Sequence, residues 1–128
     1  VLGSDESDFE FVVGSPFAEQ HEFDRLDDGI LVFDNGEQEA MASRVIEYEL
    51  DEDAGEVSAR WAYVANPPIY VHMGGDVARF PDGNTMITWS SAGRIDLIDP
   101  DGVLIWGFKT GLGTAIGFTS WYPSLYVD

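Results

Sequence analysis

Short runs of alternating apolar and polar residues, each bounded by aspartate and glycine, recur along the chain. Arg25-Leu26-Asp27-Asp28-Gly29 precedes the apolar-rich Ile30-Leu31-Val32-Phe33, and Arg79-Phe80-Pro81-Asp82-Gly83 precedes Thr85-Met86-Ile87-Thr88-Trp89. Farther on, Ser43-Arg44-Val45-Ile46-Glu47-Tyr48-Glu49-Leu50 matches Gly93-Arg94-Ile95-Asp96-Leu97-Ile98. Both lead into an acidic turn, Asp51 to Gly55 and Asp99 to Gly102, and then into a run with a tryptophan, Trp61 and Trp106. Alternation with period two marks strands, and Asp-Gly between such runs marks hairpins, because glycine tolerates positive φ and aspartate bonds its own backbone. The pattern therefore repeats after about 50 residues, with four short strands per unit, and no stretch shows a sustained helical period.

The pattern predicts an all-β protein of about two four-stranded antiparallel blades of a β-propeller, with Gly29 and Gly83 in equivalent hairpin turns. Residues 1–20 are assigned to the end of a preceding blade and a connecting loop, with Val1-Leu2-Gly3 closing an earlier outer strand. Residues 21–64 form the first blade, 65–74 an inter-blade loop and 75–108 the second blade. Residues 109–128 are a connection and the inner strand of a next blade, from Trp121 to Tyr126. Two blades do not close a ring, and open sheet edges invite association. The expected partners are further blades of the same chain, its own copies or another protein chain.

Composition narrows the classes of partner. Hydrophobic residues make up 45% of the 128 positions, enough to build a core. The formal charge is −18, from 24 acidic residues against six basic ones, and Lys109 is the only lysine. Such a field repels nucleic acid and anionic membrane surfaces, and suits a surface that stays hydrated at high salt. The chain has no cysteine, so disulfides, thiol nucleophiles and cysteine-ligated metals are excluded. That suits the cytosol or an exported protein without disulfides. No apolar run approaches the ~18 residues of a membrane span. The chain begins at Val1 without a signal-peptide pattern, so its natural start is read as missing or processed.

Several motifs together resemble the arylsulfotransferase (ASST) family. They are Leu2-Gly3 with Ser7-Asp8-Phe9, Phe17-Ala18-Glu19-Gln20-His21, the run from Phe33-Asp34-Asn35-Gly36 to Ser43-Arg44-Val45-Ile46-Glu47-Tyr48, and Gly75-Asp76-Val77-Ala78-Arg79-Phe80-Pro81-Asp82-Gly83-Asn84-Thr85. The resemblance covers nearly the whole chain and corresponds to the later part of the family's length. It implies a six-bladed propeller with its site at the central channel, and a periplasmic or secreted location. It also implies sulfuryl transfer from an aryl sulfate to a phenol through a sulfated histidine, without a nucleotide donor. No cofactor is implied. The family's sulfated histidine lies on a later inner strand in a His-Tyr-Arg context, where this chain has Trp121-Tyr122-Pro123. Family members with the full site also carry an arginine just after Asp-Asn-Gly, where this chain has Glu37-Gln38-Glu39.

Sulfuryl transfer requires positioned donor and acceptor, and stabilisation of negative charge spreading over oxygens. His21 is the candidate catalytic residue: it opens the innermost strand of its blade and falls opposite Gly75 in the repeat. The alternative is a strand-capping histidine satisfied by a backbone carbonyl. Trp121 and Tyr122 are candidate substrate-binding aromatics or packing groups. His72, in the loop after Pro67-Pro68, is read as a solvated histidine. Arg44 and Arg94, like Arg25 and Arg79, repeat in both blades and are read as structural, and Trp61 and Trp106 as packing. The acidic runs Asp51-Glu52-Asp53 and Asp99-Pro100-Asp101 lack the ligand series of a calcium loop, and no metal site is assigned. No local Ser-His-Asp arrangement marks a hydrolase triad. Two further readings stand beside the transferase: a non-catalytic propeller for binding or assembly, and a relative acting on another anionic or aromatic ester.

Overall fold

The alternation resolves into strands in the computed structural model, which describes residues 2, 7–111 and 115–122. One sheet holds β1 (Glu10–Val13), β2 (Glu22–Leu26), β3 (Gly29–Asp34), β4 (Arg44–Asp51) and β5 (Glu56–Tyr63), in the order β1-β5-β4-β3-β2. The other holds β6 (Asp76–Arg79), β7 (Thr85–Trp89), β8 (Arg94–Ile98) and β9 (Leu104–Lys109), in sequence order. The all-β expectation is met. All neighbours are antiparallel except β1, which runs parallel to β5.

Two details differ from the sequence reading. Glu10–Val13, within residues 1–20 assigned to the end of a preceding blade and a connecting loop, is a fifth strand at the edge of the first sheet. Phe9 and Phe11 turn its apolar side onto that sheet's outward face, which explains why a short, exposed-reading segment pairs at all. The glycines Gly29 and Gly83 are also not equivalent. Leu26 pairs with Gly29, so Asp27-Asp28 form a two-residue turn and Gly29 is already in the strand. A Cβ on Gly29 would strike the Tyr48 carbonyl, so close strand approach requires glycine there. In the second sheet the loop is one residue longer: the Phe80 N–H donates to the Asn84 carbonyl at 2.8 Å, and Gly83 takes φ +86°. The Pro-Asp-Gly loop thus needs the left-handed glycine that Asp27-Asp28 do without.

Side-chain alternation sorts each sheet into two faces. From the first sheet Leu31, Phe33 and Val45 meet Val77, Ile87, Trp89 and Ile98 of the second, with Trp61 and Tyr63 packed against the cluster. Phe33 and Trp89 meet edge to face, ring centroids 5.6 Å apart. The opposite face of the first sheet, Val32, Ile46, Tyr48 and Val57, is covered by Leu2, Phe9, Phe11 and Phe17. Ile30-Leu31-Val32-Phe33 therefore reads as a continuous apolar run because β3 is covered on both sides. Each fully buried large side chain contributes about 1.5–3 kcal/mol.

On the second sheet, the residues that alternate with Ile87 and Ile98 turn away from the first sheet. Met86, Leu97 and Trp106 stand in register, as do Ile95 and Phe108. Trp106 is 52% exposed, and every residue of β9 is exposed. The strands β2 and β6 lie side by side at the seam between the sheets. There Asp24 Oδ2 accepts the Arg79 backbone N–H at 2.9 Å, and the Arg79 side chain reaches back to Glu47 Oε2 at 2.6 Å.

Candidate functional site

His21 immediately precedes β2, and its N–H extends the ladder by donating to the Phe33 carbonyl at 3.3 Å. Its exposed ring crosses the seam: Nδ1 lies 3.1 Å from the carbonyl oxygen of Gly75, the residue before β6. The repeat alignment sets these two positions opposite each other, and folding makes them partners. A carbonyl only accepts, so Nδ1 carries the proton and the lone pair of the neutral ring is on Nε2. The side chain is thus oriented by one nitrogen and chemically available at the other.

The stretch around Gly75 is fixed from both sheets. Asn35 Nδ2 donates to the carbonyls of Val71 and Gly74, at 2.6 and 2.9 Å. The Gly75 N–H donates to Ser90 Oγ at 2.8 Å, and that hydroxyl donates to the Gly117 carbonyl at 3.0 Å. Asn35 and Ser90 are both buried. Asn35 belongs to the Phe-Asp-Asn-Gly motif, but nothing in that motif says which carbonyls it holds.

Trp121 stands elsewhere. Its ring, 47% exposed, packs on Phe80 with centroids 4.9 Å apart. Gly75 and Phe80 lie at opposite ends of β6, roughly 16 Å apart in extended chain. His21 and Trp121 are therefore not brought together. Tyr122 is 70% exposed, and Pro123 and Tyr126 lie outside the described residues. His72 is exposed beside buried Val71.

The repeated arginines divide. Arg44 and Arg94 pair in the same way with buried carboxylates: Arg44 Nε with Asp34 Oδ2 at 2.6 Å, Arg94 Nε with Asp96 Oδ1 at 2.7 Å. Asp96 also accepts the Trp89 indole N–H at 2.9 Å, and Asp34 accepts the N–H groups of Ala18 and Gly36. These are structural clamps. Among the described residues Arg25 makes an exposed pair with Glu52 at 3.7 Å, worth at most about 1 kcal/mol. Its repeat counterpart Arg79 instead lies 5.1 Å above the Trp61 ring while bonding Glu47.

Arg60, which the repeat does not single out, joins this group. Its Nε bonds Glu47 Oε1, and its two terminal nitrogens hold both oxygens of Asp28, at 2.8 and 2.7 Å. The bonded guanidinium holds the Asp28 carboxyl below its ordinary range, while Asp28 and then Glu47 hold the Arg60 pKa above its ordinary value. An ion-pair chain Asp28–Arg60–Glu47–Arg79 thus ends under the seam. Its partners come from β4, β5, β6 and the β2–β3 turn, so no local spacing displays it.

The acidic runs are turn chemistry. Asp51 Oδ1 accepts the N–H groups of Asp53 and Ala54, and Asp99 Oδ1 those of Asp101 and Val103. Among the described residues no group of three or more His, Asp or Glu is arranged to hold a metal ion, and no helix is long and apolar enough to cross a membrane.

None of the curated proteins compared with the chain matches it. The family description Arylsulfotransferase (ASST) matches residues 1–111, which include both sheets, the His21–Gly75 contact and the bonds of Asn35 to Val71 and Gly74. The chain belongs to the arylsulfotransferase (ASST) family.

Proposed function

We propose that the two sheets are neighbouring blades of a β-propeller, residues 21–64 and 75–108, with the ring axis beside the inner strands β2 and β6. The first sheet presents Trp61 to the second, which covers it. The second presents Trp106 on the corresponding face. Residues 116–121 begin to cover that face beside β6: the Thr119 N–H donates to Asp76 Oδ2 at 2.8 Å, and Trp121 lies on Phe80. This is like the relation of β6 to β2, where Arg79 N–H meets Asp24, and the likeness supports reading 109–128 as a connection and the inner strand of a next blade. Rotational repetition of one sheet on the next is the propeller arrangement.

The complete ring carries out nucleotide-independent sulfuryl transfer from an aryl sulfate to a phenol. The bond between sulfur and the aryl oxygen breaks, its electron pair leaving with that oxygen, and a new bond forms from sulfur to the phenol oxygen. The phenol proton must be removed, and His21 Nε2 takes it as general base. The observation that carries this role is the Nδ1–Gly75 carbonyl bond, which leaves Nε2 unprotonated at the exposed end of two inner strands. The family's covalent histidine falls at Trp121 here, so that role is not given to His21. Trp121 and Tyr122, at the other end of β6, offer aromatic surface for packing or for a separate aryl contact, and take no part in the step at His21.

The same substitution at Trp121 favours a second reading, a propeller that binds or assembles without catalysis. Transfer from a nitrophenyl sulfate to a phenol, measured on the protein with its complete ring and on His21→Ala, separates the two. Loss of transfer on substitution is expected. Equal non-zero rates remove His21 from the mechanism, and no transfer by either protein leaves the binding module.

A further inference from the structure

The Gly74-Gly75 peptide is held more firmly than a loop between two sheets requires. Both glycines have positive φ, +76° and +124°, a region costly for any other residue. A Cβ on Gly75 would collide with the Phe33 ring, and one on Gly74 would come within 2.7 Å of the Ser90 Cβ. Both polar groups of this peptide are engaged, the Gly74 carbonyl by Asn35 and the Gly75 N–H by Ser90, and the carbonyl of the next peptide, that of Gly75, faces His21. Asn35 and Ser90 are 4% and 3% exposed, and their side chains bond the loop backbone around Gly75. The arrangement has a chemical consequence. A neutral imidazole in water prefers its proton on Nε2, whereas an acceptor fixed at Nδ1 forces the other tautomer. Only a rigidly placed carbonyl imposes that choice, because an acceptor free to swing away leaves the ring to its solution preference.

We propose that Gly75, locked by Asn35 through the preceding Gly74 carbonyl and by Ser90 through its own N–H, is a positioning residue that sets the tautomer of His21 and aims Nε2 as its basic atom. The proposal deepens the assignment of His21 as general base and rests on it only for its catalytic meaning; the tautomer itself is a property of the fold. It makes the inter-sheet seam part of the site: the base comes from one sheet and its orientation from the other. It also explains why the repeat places glycine opposite histidine. A side chain at position 75 would displace the carbonyl that His21 needs.

The chain has two histidines, so a His72→Gln background leaves His21 as the only imidazole. Long-range 1H–15N correlation on 15N-labelled protein, at a pH where the ring is neutral, reads the tautomer directly. The Nδ1–H form is expected to predominate there and to give way to the Nε2–H form in Gly75→Ala. Ser90→Ala, a milder change that leaves the glycines in place, is expected to produce a mixture, and it decides the matter if Gly75→Ala does not fold. An Nε2–H ring in the His72→Gln background overturns the proposal, as does an Nδ1–H ring that persists unchanged in folded variants. The transfer assay fails separately: an Nδ1–H ring in a protein without transfer activity removes the reaction and leaves the positioning intact.

Discussion

Tyr48 buries its ring between Phe11 and Phe17, and its hydroxyl donates to the Ser15 carbonyl at 2.7 Å. Burial pushes the phenol up to about 12, the Asp34 charge adding to the rise and Arg44 opposing it. The folded protein keeps this proton between pH ~10 and about 12, while the unfolded chain loses it. The unfolded state then binds fewer protons, so stability falls as pH rises through that window and is unaffected by Tyr48 below it. Tyr48→Phe is expected to cost about 1 kcal/mol at neutral pH through the lost hydrogen bond, and to flatten the decline above pH ~10. Chemical denaturation across pH checks both, and an undiminished alkaline decline in the variant would show that other groups govern it. Arg44, which faces this region, was legible as structural from its repetition. The partners of Asn35, a residue equally visible in the sequence, were not. An amide can hold any carbonyl within reach, and these two lie 36 and 39 residues away.

At the level of elements, turn residues and alternation located the strands of the two repeats, because both signals are local. Equivalence between turns was the weaker inference. Two pentapeptides ending in Asp-Gly fold into loops of different length, since Gly29 continues a strand in which Tyr48 leaves no room for a side chain. Gly29→Ala is therefore expected to destabilise by about 1–3 kcal/mol, the range for overpacking, although alanine is otherwise the better strand residue. Thermal unfolding measures it, and an unchanged midpoint would mean that the β3–β4 pair spreads without cost. The strand β1 escaped notice because its support is tertiary. Four residues do not stand alone, and it persists through Phe9 and Phe11 on the sheet's outer face.

Across the whole molecule, apolar faces and charge act against each other. A chain of net charge −18 resists association, yet β9 carries no acidic residue and exposes Leu104, Trp106 and Phe108. If Trp106 occupies the place that Trp61 occupies in the first sheet, these 128 residues alone leave a blade-facing surface uncovered. They are expected to self-associate, more strongly as salt screens the repulsion, and Trp106→Glu should reduce the association. Light scattering at low and high salt reads this. A monodisperse monomer under both conditions would remove the blade-facing assignment of Trp106.

The sequence by itself determined the all-β class, the places of the strands in both repeats, the structural part played by Arg44 and Arg94, and the family. Each of these is written in residues close together in the chain, or in one pattern repeated. Tertiary structure decided that His21 faces the Gly75 carbonyl, that Trp121 lies at the other end of β6, and that Arg60, Glu47 and Arg79 join across the seam. These depend on which face of each sheet meets the next and on the register at which β6 lies beside β2. No local spacing encodes that register; it follows from Phe33 and Trp89 packing together between the sheets, and the polar contacts at the seam come with it.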